Sequence, residues 1–255
     1  MILAIDAGNT NIVLGCIDSD NKIVFEARLA TEHSKTEYQY AVEFKNMLEI
    51  AGIEKSQISG AIMSSVVPPL VAVLKKAVQL VAGVLPLVVG PGVKTGLNIT
   101  LDNPAQLGSD QVVDAVAALY EYNPPIIIFD MGTATTVSVI DRNRNYLGGM
   151  IIPGVKISQE TLTAKTSQLP KISIEAPRKV IGKNTIDCMK SGVIYGNAAM
   201  VDGIVEMIEQ ELGENTTVIA TGGLSSSIIP FCKRDIIIDN TLLIKGLKLV
   251  YDKNT

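Results

Sequence analysis

The feature that most constrains this chain is a near-repetition. Residues 1 to 17, MILAIDAGNTNIVLGCI, and residues 125 to 141, PIIIFDMGTATTVSVID, each run apolar, break at Asp-x-Gly followed by small hydroxyl or amide residues, and resume apolar without a helix signal. That pattern predicts a strand, a tight turn and a second strand, because Gly, Asn and Thr suit a turn while the flanking Ile and Val suit a pleated sheet. One such hairpin has little diagnostic value. Two of them, opening the two halves of a 255-residue chain, predict a duplicated architecture.

Both halves continue alike, with strands first and then strands alternating with helices. In the first, KIVFEARLA reads as a strand and TEYQYAVEFKNMLEIAG as an amphipathic helix closed by Gly52. A strand in ISGAIMSSVVPP is stopped by Pro68-Pro69, which can open the helix that follows. PLVVG is a short buried strand, and GSDQVVDAVAALYEY a helix with Ser109 placed to cap it. The second half gives a strand in YLGGMIIPG, a helix from Ser158, a loop, and a long helix from about Asn184 to Leu212. The strand TVIATGG, a helix, a strand and a final helix complete it. Apolar residues form 47% of the chain and aromatics only 4%, the balance of sheets covered by helices. The expected fold is α/β, with domains at 1–117 and 118–255 whose mixed sheets face a central cleft, the usual ligand position in such folds.

Composition removes several function classes. A formal charge of -4 with no basic stripe gives no support for a nucleic-acid or anionic-membrane partner. Met1 runs straight into a strand, and the most apolar helix is interrupted by Lys75-Lys76, so the expectation is a soluble, cytoplasmic protein. Cys16, Cys188 and Cys232 are scattered and read as buried small hydrophobes rather than a disulfide framework or zinc site. His33 is the single histidine and lies in the polar stretch TEHSKTE, so acid-base chemistry falls to carboxylates.

The two turns have the chemistry of phosphate sites. In DAGNTN, Gly8 lets backbone approach a ligand, Asn9, Thr10 and Asn11 offer uncharged donors, and Asp6 can hold a divalent cation through water. DMGTAT supplies Gly132, Thr133 and Thr135 with Asp130 in the matching acidic position. A third element, TVIATGGLSSS, puts Gly222-Gly223 between a strand and a helix start, where N–H groups can face a nucleotide. GPGVKTG at 90 to 96 has neither P-loop nor dinucleotide-fold spacing and reads as a loop leading toward the cleft.

Two Asp-x-Gly hairpins followed by a Gly-Gly turn resemble the phosphate and adenosine motifs of the actin-like, ribonuclease-H-like sugar-kinase superfamily. Within it, NPAQLGSDQ at 103 to 111, DMGTATT at 130 to 136, LGGMIIPG at 147 to 154, Leu169-Pro170 and GKNTIDCMKSGVIYG at 182 to 196 resemble type III pantothenate kinases. The resemblance implies ATP-dependent phosphorylation of the primary hydroxyl of pantothenate, with Mg²⁺ and a monovalent cation, K⁺ or NH₄⁺. It implies a nucleotide loop of Asp6, Ala7, Gly8, Asn9, Thr10, Asn11, Ile12 and Val13, and a general base at Asp110. Gly108, Ser109, Asp110, Gln111 and Thr185 would be acceptor contacts, Asp130 the monovalent-cation site, and Thr133 a phosphate contact.

Gln111 stands where most of the family has Arg, and Leu101 where a Tyr commonly precedes the Asn-Pro pair. Both departures fall on the acceptor side. They leave open a non-catalytic nucleotide-binding regulator, or a kinase for a related acceptor such as pantetheine. Gly192, Gly196 and Gly203 interrupt the long helix, each costing about 1 kcal/mol relative to Ala, which predicts close approach by another element. The resemblance implies a homodimer; packing inside one domain is the other reading.

Overall fold

A computed structural model describes residues 1–255, which cluster into two compact units. The first comprises 1–97, 103–117 and 241–255, and the second 98–102 and 118–240. In chain order the strands are β1 (Ile2–Ala7), β2 (Asn11–Ile17), β3 (Ile23–Ala30), β4 (Gly60–Ser65), β5 (Leu87–Val88), β6 (Asn98–Ile99), β7 (Ile126–Met131), β8 (Ala134–Ile140), β9 (Asn145–Pro153), β10 (Thr217–Thr221) and β11 (Ile237–Ile238). The helices are α1 (Glu37–Ile50), α2 (Pro68–Ala82), α3 (Ser109–Glu121), α4 (Val155–Lys165), α5 (Thr185–Leu212), the single turn α6 (Ser225–Ile228) and α7 (Leu242–Asp252).

The repetition in sequence is a repetition of topology. The first sheet has the order β3-β2-β1-β4-β5, and the second contains β9-β8-β7-β10-β11 with β6 added beyond β9. In each, a meander of antiparallel strands is extended by two parallel ones. All six residues of β1 are buried, because helices cover both faces of its sheet. Leu3, Ile5 and Ala7 join the α1/α2 core around Tyr40, Phe44, Leu70 and Leu74, while Ile2 and Ala4 join Val113, Ile244 and Leu247 of α3 and α7. In the second unit Ile127, Phe129 and Met131 of β7 pack with Ile194, Ala198, Val201 and Val205 of α5.

The clustering differs from a simple cut at 117/118. Helix α7 follows β11 in sequence yet packs in the first unit, where a Cβ on Gly15 would meet Ile244 at 3.0 Å and one on Gly246 would meet the Val113 carbonyl at 2.1 Å. Residues 98–102 leave the first unit because β6 pairs with β9, Asn98 opposite Asn145. The loop at 90–96 is tied to the C-terminus by a pair of 2.9 Å bonds, Lys94 N–H to Asn254 Oδ1 and Asn254 Nδ2 to the Lys94 carbonyl. Helix α4 starts at Val155, a turn before Ser158, with Gly154 as its cap. Of the cysteines, Cys16 is buried, Cys232 is half-buried and Cys188 is exposed, which corrects the reading of all three as core residues. No helix is long and apolar enough to cross a membrane.

Candidate active site

In the first unit, the β1–β2 hairpin turns at Gly8, Asn9 and Thr10. The Gly8 N–H donates to the Asn11 carbonyl at 3.0 Å, and a Cβ on Gly8 would lie 3.1 Å from that oxygen. Thr31, the residue after β3, clamps the turn: its hydroxyl donates to the Gly8 carbonyl at 2.7 Å and its N–H to the Thr10 carbonyl at 2.9 Å. Asn9, Thr10 and Asn11 are exposed, while Ala7 and Ile12 are fully buried core side chains. Of these two, only the backbone can meet a ligand. Val13 is partly buried and packs on the α3/α7 side of the sheet.

Asp6 is the last polar residue before that turn, 8% exposed, and its Oδ1 accepts a 2.6 Å hydrogen bond from the Ser64 hydroxyl. Asp110 lies in the first turn of α3, half-buried. Burial raises its carboxyl above the ordinary range, opposed by its hydrogen bonds from backbone N–H groups, including that of Gln111 at 2.8 Å. Gly108 makes room for this arrangement, since a Cβ there would stand 2.4 Å from Asp110 Oδ1. Ser109 does not cap the helix. It is the first helical residue, its hydroxyl accepting from the Ser65 N–H at 3.1 Å and facing the Ser65 carbonyl at 3.2 Å. Ser64, Ser65 and Thr31 are the residues that sequence reasoning passed over, although SSVVPP marks polar residues at a strand's C-terminal end as clearly as the Asp-x-Gly turns do.

In the second unit, Asp130 near the end of β7 stands opposite Thr221 of β10, which brings it to the Gly-Gly turn. Gly222 has φ +89°, and a Cβ on it would lie 2.5 Å from Asp130 Oδ1 and 2.7 Å from Met131 N and C. Gly223 is exposed, and the helix after it is one turn long, so its N-terminal field is weak. Thr133 is exposed at the β7–β8 turn, whereas Thr135 is fully buried, its hydroxyl without a hydrogen-bond partner. Strand alternation explains the difference: Thr135 shares the parity of Val137 and Val139, which belong to the α5 core. Gly154 seats α4 against the turn, because a Cβ there would meet the Thr133 carbonyl at 2.1 Å.

Thr185 opens α5, where the Asn184 side chain caps the helix by accepting from the Asp187 N–H at 2.9 Å. It lines a pocket of about 720 Å³ together with Val155, Leu162, Met189, Asn197 and Lys183, the last being the only charged lining residue. Gly192 lines the same pocket. A Cβ at Gly192, Gly196 or Gly203 would meet nothing within 4 Å, so packing within this chain is not what these glycines serve.

No group of three or more His, Cys, Asp or Glu side chains could hold a metal ion. The buried carboxylate of Asp6 at the carboxyl end of β1 nevertheless fits Mg²⁺ held by one carboxylate, water and substrate phosphates. Asp130, half-buried beside the close-packed backbone of the Gly222 turn, fits a monovalent cation.

The family model for type III pantothenate kinase matches residues 2–207. A type III pantothenate kinase of Exiguobacterium sp. (strain ATCC BAA-1283 / AT1b) is 47% identical over 254 residues, covering 100% of this chain and 99% of the relative. Among solved structures, a Baf-family protein from Campylobacter jejuni covers 99% of this chain and 98% of its own, at TM-score 0.61 and 20% identity. The (R)-2-hydroxyglutaryl-CoA dehydratase component A of Acidaminococcus fermentans covers 98% and 96% at TM-score 0.57 and 14% identity. These likenesses and the two mixed sheets identify the actin-like ATPase fold.

Proposed function

The chain belongs to the type III pantothenate kinase family, and from that premise we propose which of its residues carry the reaction. It is an ATP-dependent kinase that phosphorylates pantothenate in coenzyme A biosynthesis. The observation that carries the residue assignment is the half-buried Asp110 carboxylate, held on the first turn of α3 with its proton affinity raised. Asp110 takes the proton of the primary hydroxyl as its oxygen bonds to the γ-phosphorus and the bond to the β-phosphate oxygen breaks, releasing ADP. Asp6 and the turn through Val13, Thr133 and the Gly222-Gly223 turn bind ATP. Gly108, Asp110, Gln111 and Thr185 hold the acceptor, whereas the Ser109 hydroxyl, expected beside them, is taken up by the backbone of Ser65. Asp6 would hold Mg²⁺ and Asp130 a monovalent cation, and these ions would supply the positive charge that offsets the phosphates.

The test is ADP release from ATP and Mg²⁺ with pantothenate, pantetheine or no acceptor, each in K⁺ and in Na⁺. Release is expected with pantothenate and to rise when K⁺ replaces Na⁺. Turnover of pantetheine alone would overturn the acceptor, and indifference to the cation would remove Asp130 from its role. The open stripe of Gly192, Gly196 and Gly203 supports a homodimer, which a monomeric mass in sedimentation would overturn.

Gln111 bears on acceptor affinity. An Arg fork would meet the pantothenate carboxylate with paired charge-assisted bonds that an amide cannot reproduce. Bonds to charged partners are worth about 1.5–3 kcal/mol against about 1 for neutral ones, so the amide weakens binding on the order of tenfold. Gln111→Arg is therefore expected to lower the pantothenate KM by about that factor with kcat within a few fold, as uniform binding requires. Steady-state kinetics of the two proteins decides it; an unchanged KM would mean that the carboxylate is held elsewhere.

A further inference from the structure

We infer that the Ser64-Ser65 pair at the end of β4 is a positioning element that sets both carboxylates of the first unit, Asp6 through the Ser64 hydroxyl and Asp110 through a clasp between Ser65 and Ser109. This rests on the roles proposed above for Asp6 and Asp110. Strands β1 and β4 are parallel with Asp6 opposite Ser64, so both side chains share one sheet face, the one covered by α3 and α7. Ser64 is fully buried, and its hydroxyl donates to Asp6 Oδ1 at 2.6 Å. The bond restrains that carboxylate. The next residue holds the base. Ser65 presents its N–H and its carbonyl to one hydroxyl, that of Ser109, at 3.1 and 3.2 Å. Asp110 follows Ser109 directly, so the clasp ties the helix turn that bears the base to the strand that orients Asp6.

The Ser65 side chain takes a different role. Its hydroxyl accepts from the Val67 N–H at 3.1 Å, closing the turn by which the chain leaves β4 for Pro68 and α2. Two consecutive residues thus supply a side chain to one carboxylate and a backbone to the helix of the other. Displacement of a reacting group by about 1 Å can cost on the order of a hundredfold in rate, which is why a clasp remote from the reacting atoms can matter.

Three variants test this. Ser109→Ala should lower kcat by about ten- to a hundredfold while the KM values for ATP and pantothenate stay within about twofold, and Ser109→Thr, which keeps the hydroxyl, should recover most of the loss. Ser64→Ala should weaken ATP binding several-fold in an equilibrium titration with Mg²⁺ and leave the titration in chelator unchanged. A raised pantothenate KM at constant kcat in Ser109→Ala would make Ser109 a substrate contact and overturn the clasp. Equal losses with and without Mg²⁺, a lower melting temperature with no split between kcat and KM, or wild-type behaviour would each overturn the positioning role. If the wild-type chain turned over no pantothenate, the proposed function would fail first, and the Mg²⁺-dependent titration would still decide the Ser64 half.

Discussion

Asp110→Asn is expected to lower kcat by about 10²–10⁴, the usual contribution of a positioned general base, and to leave ATP affinity nearly unchanged. The substitution preserves shape, and the Asn oxygen can still accept the Gln111 N–H that now bonds Oδ1 at 2.8 Å. What it removes is the site that receives the hydroxyl proton. The same variant should melt at the wild-type temperature or above. Burial raises the folded carboxyl above its ordinary value of 3.8, so the folded state binds this proton more tightly than the unfolded one. Its contribution to stability is therefore present below the ordinary value and is lost as pH rises through the raised one. At neutral pH the ionised group costs stability, and Asn relieves that cost. In the wild-type protein, the rate should fall on the acid side at a pH above the ordinary aspartate value, because protonated Asp110 accepts nothing. Single-turnover rates across pH, a nucleotide titration and a thermal melt check the three parts. Equal loss of ATP affinity would reassign Asp110 to the nucleotide.

The features legible in sequence are those set within a few residues. Asp6 and Asp130 sit at the ends of matching strands because each apolar run is broken by turn chemistry, and the two sheets repeat one topology because that pattern occurs twice. Strand parity was equally available: Thr135 alternates with Val137 and Val139, so its hydroxyl had to enter the core while Thr133 stayed on the turn. Other features depend on partners distant in sequence. The unit joined by α7 is decided by contacts of Ile244 and Gly246 with residues more than a hundred positions away, and the role of Ser109 by a strand end 44 positions earlier. Ser109 has the chemistry of a cap, and its hydroxyl is drawn instead to Ser65, whose backbone would otherwise lack that partner. The open space around Gly192, Gly196 and Gly203 is likewise invisible in sequence, where a glycine that allows close packing and one that leaves a face clear look the same.

Gly222→Ala is expected to damage the second unit in two separable ways. At φ +89° an alanine adopts a backbone conformation that costs of the order of 1–3 kcal/mol. Its Cβ would also stand 2.5 Å from Asp130 Oδ1 and 2.7 Å from Met131 N and C. The carboxylate could swing aside. Met131 cannot, because it is backbone in β7, paired with Thr135 of β8 and accepting at its carbonyl from the Leu224 N–H, with its side chain in the α5 core. Forcing extra volume into such a place costs roughly a further 1–3 kcal/mol. Gly213 separates the terms: it too has a left-handed backbone, at φ +72°, but a Cβ there meets nothing within 4 Å. Gly213→Ala should therefore lose the conformational part alone, and the excess loss in Gly222→Ala measures the collision. At about 2–4 °C per kcal/mol for a protein of this size, the two variants should differ by several degrees in melting temperature. Because the collision displaces the Asp130 carboxylate, Gly222→Ala should also lose its response to K⁺ at temperatures where it remains folded, whereas Gly213→Ala keeps it. Equal melting temperatures and an equal K⁺ response would mean that the turn relaxes around the methyl group and that Asp130 does not need this wall.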